Sequence, residues 1–205
     1  MSNFSMDTMD NMQFDVLREI GNIGAGNAMT ALSQMLNMKI DMEVPKVELI
    51  DLKNLPDAVG GADAIVVGIL LTLSRDVEGM IMFIVSEETA RKTADLLLQQ
   101  PVSPDTPLTD METSALQEIG NIITSAYMSA LSMLTHLSIN ISVPYMSVDM
   151  AGAILSVPAI EFGKVGDQAL LIQSEFGEKD DGMAGYFILI PTEESSGKIL
   201  SSLGL

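Results

Sequence analysis

Apolar residues recur at helical spacing in two long segments of the chain. Within Asp10–Leu36 they are Phe14, Leu17, Ile20, Ile23, Leu32 and Leu36. Within Thr109–Leu137 they are Leu116, Ile119, Ile123, Leu131 and Leu134. Spacings of three and four residues align such side chains on one face of a helix. We therefore predict two long amphipathic helices, the second starting at a capping box formed by Thr109 and Glu112.

Other segments are continuously apolar and have the length of strands. They are "AIVVGILLTL", "GMIMFIVS", "ALLIQSEF" and "GYFILIP". Because apolar and polar residues hardly alternate in them, we predict a sheet that is covered on both faces. The segments "MKIDMEVP" and "LSINISVP" predict further strands that end at proline. Shorter closing helices are predicted at "SEETARKTADLLLQQ" and "TEESSGKILSSL".

The two long segments are related to each other by an internal match. Residues 19–45 and 118–144 are identical at 12 of 27 aligned positions, and both begin with "EIGNI". A second match relates residues 79–88 to residues 185–194. The sequence thus predicts one domain, 1–205, made of two repeats (about 10–100 and 108–205) that Pro101–Pro107 connects. We expect an α/β fold in which two long helices and flanking helices pack on a shared β-sheet with pseudo-twofold symmetry.

Composition narrows the possible partners and the location. The chain carries a net charge of −18, so nucleic acid and anionic membranes would be repelled while a basic partner would be attracted. The longest apolar run is shorter than a bilayer span, so no membrane insertion is expected. The absence of cysteine from 205 residues excludes thiolate chemistry and favours a cytoplasmic location.

Each repeat places a polar triplet at spacing i, i+4, i+7, which brings three side chains to one helix face. The triplets are Asp15, Glu19 and Asn22, and Ser114, Glu118 and Asn121. An ordinary solvated helix face is the alternative interpretation. Asparagine is a mediocre helix former, however, and its presence at the same helical position in both repeats indicates a function.

Other kinds of site have less support in the sequence. Gly21, Gly24 and Gly26 do not have the spacing of a dinucleotide-binding loop, and no strand precedes them. Gly21 and its counterpart Gly120 are interpreted as leaving open space beside the Glu and Asn side chains. His136 is the only histidine, so neither a Ser-His-Asp triad nor a histidine metal site is available. We expect no cofactor of the chain's own.

At the two triplets the sequence resembles the CheC/CheX/FliY family of chemotaxis phosphatases. The family pattern is Asp or Ser, three residues, Glu, two residues, Asn, twenty-two residues and Pro. Both repeats fit it over its full length, ending at Pro45 and at Pro144. The resemblance extends over nearly the whole chain.

The resemblance implies hydrolysis of the aspartyl phosphate on the response regulator CheY. It implies that Asn22 and Asn121 orient the attacking water, and that Glu19 and Glu118 pair with a regulator lysine. Mg²⁺ is expected on the regulator. Asp15 and Ser114 are expected to add contacts at the rim of each site.

The residues before the two glutamates differ, which predicts unequal sites. Arg18 precedes Glu19, whereas Gln117 precedes Glu118. An arginine there can pair with Glu19 or repel the lysine of the regulator. The second site is therefore expected to be the more active one.

A second function remains open: a non-catalytic adaptor that binds and regulates a CheD-type receptor deamidase, as proteins of the resembled family do. Asp149, in the segment "SVDMAGAIL", is the candidate contact. The same segment is also interpretable as a plain connection between strands.

Overall fold

The computed structural model describes residues 11–37, 39–100, 106–162, 168–177 and 183–204. The helices are α1 (Asn11–Leu36), α2 (Leu55–Ala58), α3 (Glu87–Leu98), α4 (Asp110–Thr135), α5 (Ala151–Phe162) and α6 (Glu193–Ser202). The strands are β1 (Asp41–Asp51), β2 (Ile65–Arg75), β3 (Gly79–Ser86), β4 (Ile139–Ile141), β5 (Tyr145–Met150), β6 (Gln168–Gly177) and β7 (Met183–Pro191). A short 3₁₀ turn, Leu52–Asn54, leads into α2.

The seven strands form one sheet in the order β1-β6-β7-β3-β2, with β4 and β5 both paired to the outer edge of β2. All pairings between the described strands are antiparallel. Exchanging β1 with β5, β2 with β6 and β3 with β7 reproduces the same order from the opposite edge. Strands of the two halves therefore share one sheet, and β3 meets β7 at its centre.

Alternate residues of the central strands face two separate apolar layers. Ile69 and Phe83 pack with the buried faces of α1 and α4, in a cluster that contains Leu17 and Ile119. The neighbouring residues of the same strands belong to the other cluster, with α2 and α5. A strand that is buried on both faces needs apolar residues at successive positions. The prediction of an α/β fold with a sheet covered on both sides is confirmed.

Helices α1 and α4 pack against each other in antiparallel orientation. Gly24, in the middle of α1, lies directly against the ring of Tyr127 in α4. Leu36, at the end of α1, lines the same groove as Ala115 near the start of α4. The start of each long helix therefore lies near the end of the other.

The starts of α3, α4 and α6 were well predicted. Thr109 and Glu112 form the expected capping box, and the Ser86 and Thr192 hydroxyls accept the Thr89 and Ser195 backbone N–H groups. These caps satisfy backbone groups that a helix leaves without partners. Residues 1–10 and most of the connection Pro101–Pro107 lie outside the described residues.

One expectation from the sequence was wrong, and two helices were missed. Helices α2 and α5 were not predicted: α2 has only four residues, and α5 contains Pro158 and is apolar on nearly all faces, so helical periodicity is weak. Strand β1 does not end at Pro45. The pairing with β6 shifts register between Glu43 and Lys46, and a bulge on an edge strand accommodates a residue that cannot donate a ladder hydrogen bond.

Candidate functional site

The first triplet lies along the outer surface of α1. The side chains of Asp15, Glu19 and Asn22 are all exposed. The guanidinium of Arg18 pairs with the Asp15 carboxylate at 3.6 Å, one turn back along the helix. The sequence had suggested Glu19 as the partner of Arg18. The structure instead places the short contact at Asp15.

The second triplet lies along the outer surface of α4. Ser114 and Glu118 are exposed, and Asn121 is half-buried. Gln117, which stands where the first repeat has Arg18, is also half-buried. The second asparagine is thus more enclosed than its counterpart Asn22.

Buried leucines and isoleucines fix the orientation of both triplets. Leu17 and Ile20 of α1 are 4% and 3% exposed, and Leu116 and Ile119 of α4 are both 3% exposed. They anchor each helix on the sheet and prevent it from turning about its axis. The carboxylate and the amide are therefore presented outward from a rigid element, as a site for a macromolecular partner requires.

The structure corrects the interpretation of Gly21 and Gly120, the glycines that stand at the same position in both repeats. Gly21 and Gly120 are buried and face away from the Glu and Asn side chains, toward strand residues. A Cβ on Gly120 would lie 2.5 Å from Cδ1 of Ile69 in β2. These glycines let the helices approach the sheet closely and leave no open space at the triplets.

The two triplets lie far apart. Because α1 and α4 are antiparallel, Glu118 is level with Met35, sixteen residues from Glu19 along α1. At 1.5 Å per residue, the two glutamates are separated by roughly 24 Å along the helix pair. They form two sites and cannot act on the same bond.

A groove of about 250 Å³ adjoins Glu118 and was not predicted. It lies where the ends of α1 and α3 meet the start of α4. Its lining residues are Met35, Leu36, Leu97, Leu98, Gln99, Ala115 and Glu118. These residues come from three distant segments, so no local pattern could have identified the groove.

The chemistry available at the triplets is limited. From Thr93 to Gly163 the sequence contains no lysine or arginine, so α4 itself provides no cation for an anionic group. Among the described residues, no three or more His, Cys, Asp or Glu side chains form a group that could hold a metal ion. The triplets offer hydrogen-bonding oxygens and amide groups, and little electrophilic chemistry.

Asp149 lies on a different surface of the protein. It is exposed on β5, opposite Val66 of β2, and its carboxylate accepts the backbone N–H of Met150 at 2.7 Å. Asp149 also lines a groove of about 510 Å³ between the sheet and α5. The segment "SVDMAGAIL" is therefore the end of a strand and the start of a helix, and it is more than a connection between strands.

The sequence profile of the CheC-like family matches residues 12–49 and 111–147, which include both triplets. The chain is 37% identical over 199 residues to the CheY-P phosphatase CheC of Bacillus subtilis, covering 94% of each chain. The chain belongs to the CheC-like family. It is also 30% identical to the flagellar motor switch phosphatase FliY of the same organism, over 68% of this chain and 36% of that protein.

Solved structures share the fold. The crystal structure of Thermotoga maritima FliY matches with a TM-score of 0.75 at 23% identity, covering 96% of this chain and 98% of that one. CheX in the CheX-CheY-BeF3-Mg complex from Borrelia burgdorferi matches with a TM-score of 0.52 at 22% identity, over 84% of this chain and 96% of that one. Within the described part of the chain, none of the helices combines the length and the apolar character of a membrane span.

Proposed function

We propose that this protein is a phosphatase that hydrolyses the aspartyl phosphate of a CheY-type response regulator. The observation that carries the proposal is the repeated Glu-x-x-Asn face, held outward on two rigid helices by buried anchors. The B. subtilis relative is a CheY-P phosphatase, and the structurally similar CheX was solved in a complex with CheY. The full-length match to that relative supports the same substrate here.

In the proposed mechanism, Asn22 and Asn121 orient a water molecule for attack on the phosphorus atom. A carboxamide can donate one hydrogen bond and accept another, so it can hold water without itself attacking. Placing the nucleophile in line accounts for much of the rate enhancement in phosphoryl transfer. The half-buried position of Asn121 suits this role, because a partly enclosed amide has fewer orientations open to it than a fully solvated one.

Glu19 and Glu118 would dock the protein by pairing with a lysine of the regulator. Each lies one helical turn before its asparagine, so a docked lysine fixes the distance from the asparagine to the phosphoryl group. Asp15 and Ser114 would contact the regulator at the rim. In the first site Arg18 already engages Asp15, which limits that contact.

The regulator would supply the positive charge that the reaction needs. An aspartyl phosphate is a reactive acyl phosphate, and Mg²⁺ and a lysine on the regulator can neutralise the developing charge. The absence of lysine and arginine between Thr93 and Gly163 agrees with this division of roles. The phosphatase then contributes mainly by positioning the attacking water, while the regulator provides the positive charge.

The proposal is tested by mixing the purified protein with a phosphorylated CheY-type regulator in excess Mg²⁺. Loss of phosphate is followed with time, with and without a CheD-type partner. Faster decay in proportion to added protein supports the proposal. Unchanged decay under both conditions rejects it.

A second candidate function is an adaptor that binds a CheD-type deamidase, and the surroundings of Asp149 favour it. This carboxylate is exposed on β5, beside the large groove, and Tyr145 on the same strand is 67% exposed. Exposed aromatic side chains beside a groove are typical of protein-binding surfaces. An Asp149→Lys variant should lose deamidase binding and keep phosphatase activity, whereas the Asn22→Ala, Asn121→Ala double variant should show the reverse.

A further inference from the structure

The segment of α1 that carries Asn22, residues 21–26, is called the glycine turn here because three of its residues are glycine. They are Gly21, Gly24 and Gly26. Glycine destabilises the interior of a helix, since its backbone loses the most conformational freedom on folding. The aligned turn of α4 keeps Gly120 but has Ile123 and Ser125 at the other two positions. The helix of the first site is therefore intrinsically weaker than the helix of the second site, at the residue that each site uses.

A side-chain hydrogen bond adds to the weakness of the glycine turn. The Thr30 hydroxyl donates to the Gly26 carbonyl oxygen at 2.9 Å, four residues back along α1. Such a bond competes with the backbone for the carbonyl group and often bends a helix. Glu19 and Asn22 share one face only while the helix continues unbent through this turn. Support from outside α1 is therefore needed to hold the first site in shape.

Tyr127 of α4 provides this support. A Cβ on Gly24 would lie 2.5 Å from Cδ1 and 2.9 Å from Cγ of Tyr127, so the ring lies directly against the backbone of the glycine turn. The Tyr127 ring is 1% exposed and stacks on Phe187 with 4.3 Å between the ring centroids. Its hydroxyl shares a hydrogen bond of 2.9 Å with the Ser174 hydroxyl. These contacts fix the ring in one orientation beneath α1.

The second repeat does not return this support to the second site. Ala28 stands where the second repeat has Tyr127, and Ile123 stands where the first repeat has Gly24. Ala28 and Ile123 are both fully buried, but alanine offers only a methyl group to the opposite helix. An aromatic ring thus supports one helix of the pair and not the other.

We propose that Tyr127 is a positioning residue for the first site. Although Tyr127 belongs to α4, it acts through Gly24 to keep the glycine turn helical, and so keeps Glu19 and Asn22 at the spacing that the proposed reaction uses. The inference rests on the proposed function. It has a specific consequence: a substitution on the helix of the second site should impair the first site.

The first test measures each site by itself. Tyr127→Leu is made in the Asn121→Ala background, where only the first site works, and in the Asn22→Ala background, where only the second site works. We expect kcat for the phosphoregulator to fall about tenfold in the former and by less than about twofold in the latter, because a small displacement of a positioned group slows a reaction strongly. Equal losses in both backgrounds, a loss confined to the second site, or no loss in either would overturn the proposal.

Two further variants keep this test decisive. Tyr127→Phe retains the ring against Gly24, so it should keep kcat within about twofold of the parent in both backgrounds. A tenfold loss from Tyr127→Phe at the first site would contradict support by the ring. Circular dichroism checks the fold, and Tyr127→Met, which leaves a smaller void, replaces Tyr127→Leu with the same expectations if the leucine variant is unfolded.

Gly26→Ala tests whether the effect passes through the helix. A Cβ on Gly26 would meet nothing within 4 Å, so alanine strengthens α1 there without a clash. Added to Tyr127→Leu in the Asn121→Ala background, it should restore about half of the lost kcat, because it stabilises the glycine turn directly. Gly197→Ala in α6 is the matched control, since its Cβ would also meet nothing within 4 Å and it adds the same helix propensity in a different helix. No rescue by Gly26→Ala, or equal rescue by Gly197→Ala, would overturn the proposal.

The second test does not depend on phosphatase activity. Backbone amide hydrogen exchange is followed by NMR in the full chain with and without Tyr127→Leu. We expect exchange to accelerate about tenfold at residues 23–26 of α1 and by less than about threefold at residues 122–125 of α4, because only the glycine turn loses its support. Equal acceleration in the two helices would reject the positioning role. If both backgrounds lack phosphatase activity but the exchange difference occurs, the proposed function fails and the support of α1 by Tyr127 stands.

Discussion

Ile69 of β2 lies directly beneath Gly120 of α4. A Cβ at Gly120 would be 2.5 Å from Cδ1 and 2.7 Å from Cγ2 of Ile69. The counterpart Gly21 of α1 has more room, because its added Cβ would meet Val47 at 3.4 Å and Val44 at 3.5 Å. The same motif glycine is thus sterically required in the second repeat and only loosely required in the first.

Alanine substitution of these two glycines should have opposite effects on stability. Gly120→Ala should lower the free energy of unfolding by about 1–3 kcal/mol, because the contact with Ile69 forces the helix or the strand to move. Gly21→Ala should be neutral or stabilising by up to about 1 kcal/mol, since alanine favours the helix. Urea unfolding of the two variants measures both values. Equal losses would mean that both helices lie equally close to the sheet.

The double variant Asn22→Ala, Asn121→Ala should lose phosphatase activity and keep its fold. Loss of an orienting group costs on the order of 10²-fold or more in rate. Neither asparagine is buried, so little stability depends on them. Phosphoregulator decay measures the activity, and circular dichroism with thermal unfolding provides the control. Activity in a folded double variant would show that another group positions the water.

Single substitutions should reveal that the second site contributes more. Asn121→Ala should lower activity at subsaturating regulator more than Asn22→Ala, because Arg18 opposes the docking of a lysine at the first site. Exposed like charges change affinity by up to about fivefold. The pairing of Arg18 with Asp15 leaves its positive charge beside Glu19. Equal losses, or a larger loss from Asn22→Ala, would contradict this ranking.

Thr124 and Thr93 form a matched pair of buried threonines. The Thr124 hydroxyl, 0% exposed in α4, has no hydrogen-bond partner among the described residues, whereas the Thr93 hydroxyl donates to the Thr89 carbonyl at 2.7 Å. Thr124→Val should therefore raise the free energy of unfolding by about 1 kcal/mol, because it removes an unsatisfied group without changing shape. Thr93→Val should lower it by about 0.5–1 kcal/mol. Chemical unfolding of both variants measures these changes. A loss of stability in Thr124→Val would indicate that a water molecule is bound at the Thr124 hydroxyl.

Ionisation of Tyr127 should lower the free energy of unfolding at alkaline pH. Burial raises its pKa to about 12 from the ordinary value of 10.0, while a hydrogen bond with Ser174 at 2.9 Å acts in the opposite direction. Because the pKa of Tyr127 is higher in the folded state than in the unfolded state, its contribution to the free energy of unfolding is complete below pH 10. That contribution is lost as pH rises toward 12. Two pKa units correspond to roughly 2–3 kcal/mol. Unfolding measured from pH 9 to pH 12 should show this loss, and Tyr127→Phe should reduce the slope.

The parts of the fold that were predicted correctly depend on local patterns. Helix α4 was identified because Leu116, Ile119 and Ile123 recur at helical spacing after a capping box. Helix α5 was missed because Pro158 and an apolar composition hide that spacing. Continuation of β1 through the bulge near Lys46 depends on its pairing with β6, more than a hundred residues away.

In the candidate site, too, some residues could be predicted from local sequence patterns and others could not. Glu118 and Asn121 could be chosen from spacing, because one helix carries both side chains. The groove could not, because Leu36, Leu98 and Ala115 meet only when α1, α3 and α4 pack together. The function of Gly120 was misjudged for a related reason: its neighbour Ile69 is distant in the sequence.

The strand order has a consequence for each half of the molecule taken alone. Among the described strands β1 pairs only with β6, so the strands of residues 41–86 would leave β1 without a neighbour if the second half were removed. Two copies of one half could still complete each other by exchanging strands, each copy providing the β6 position for the other. A half-length ancestor of this protein is therefore expected to have been a strand-exchanged homodimer, which fusion converted to one sheet within a single polypeptide, whose two ends were free to diverge.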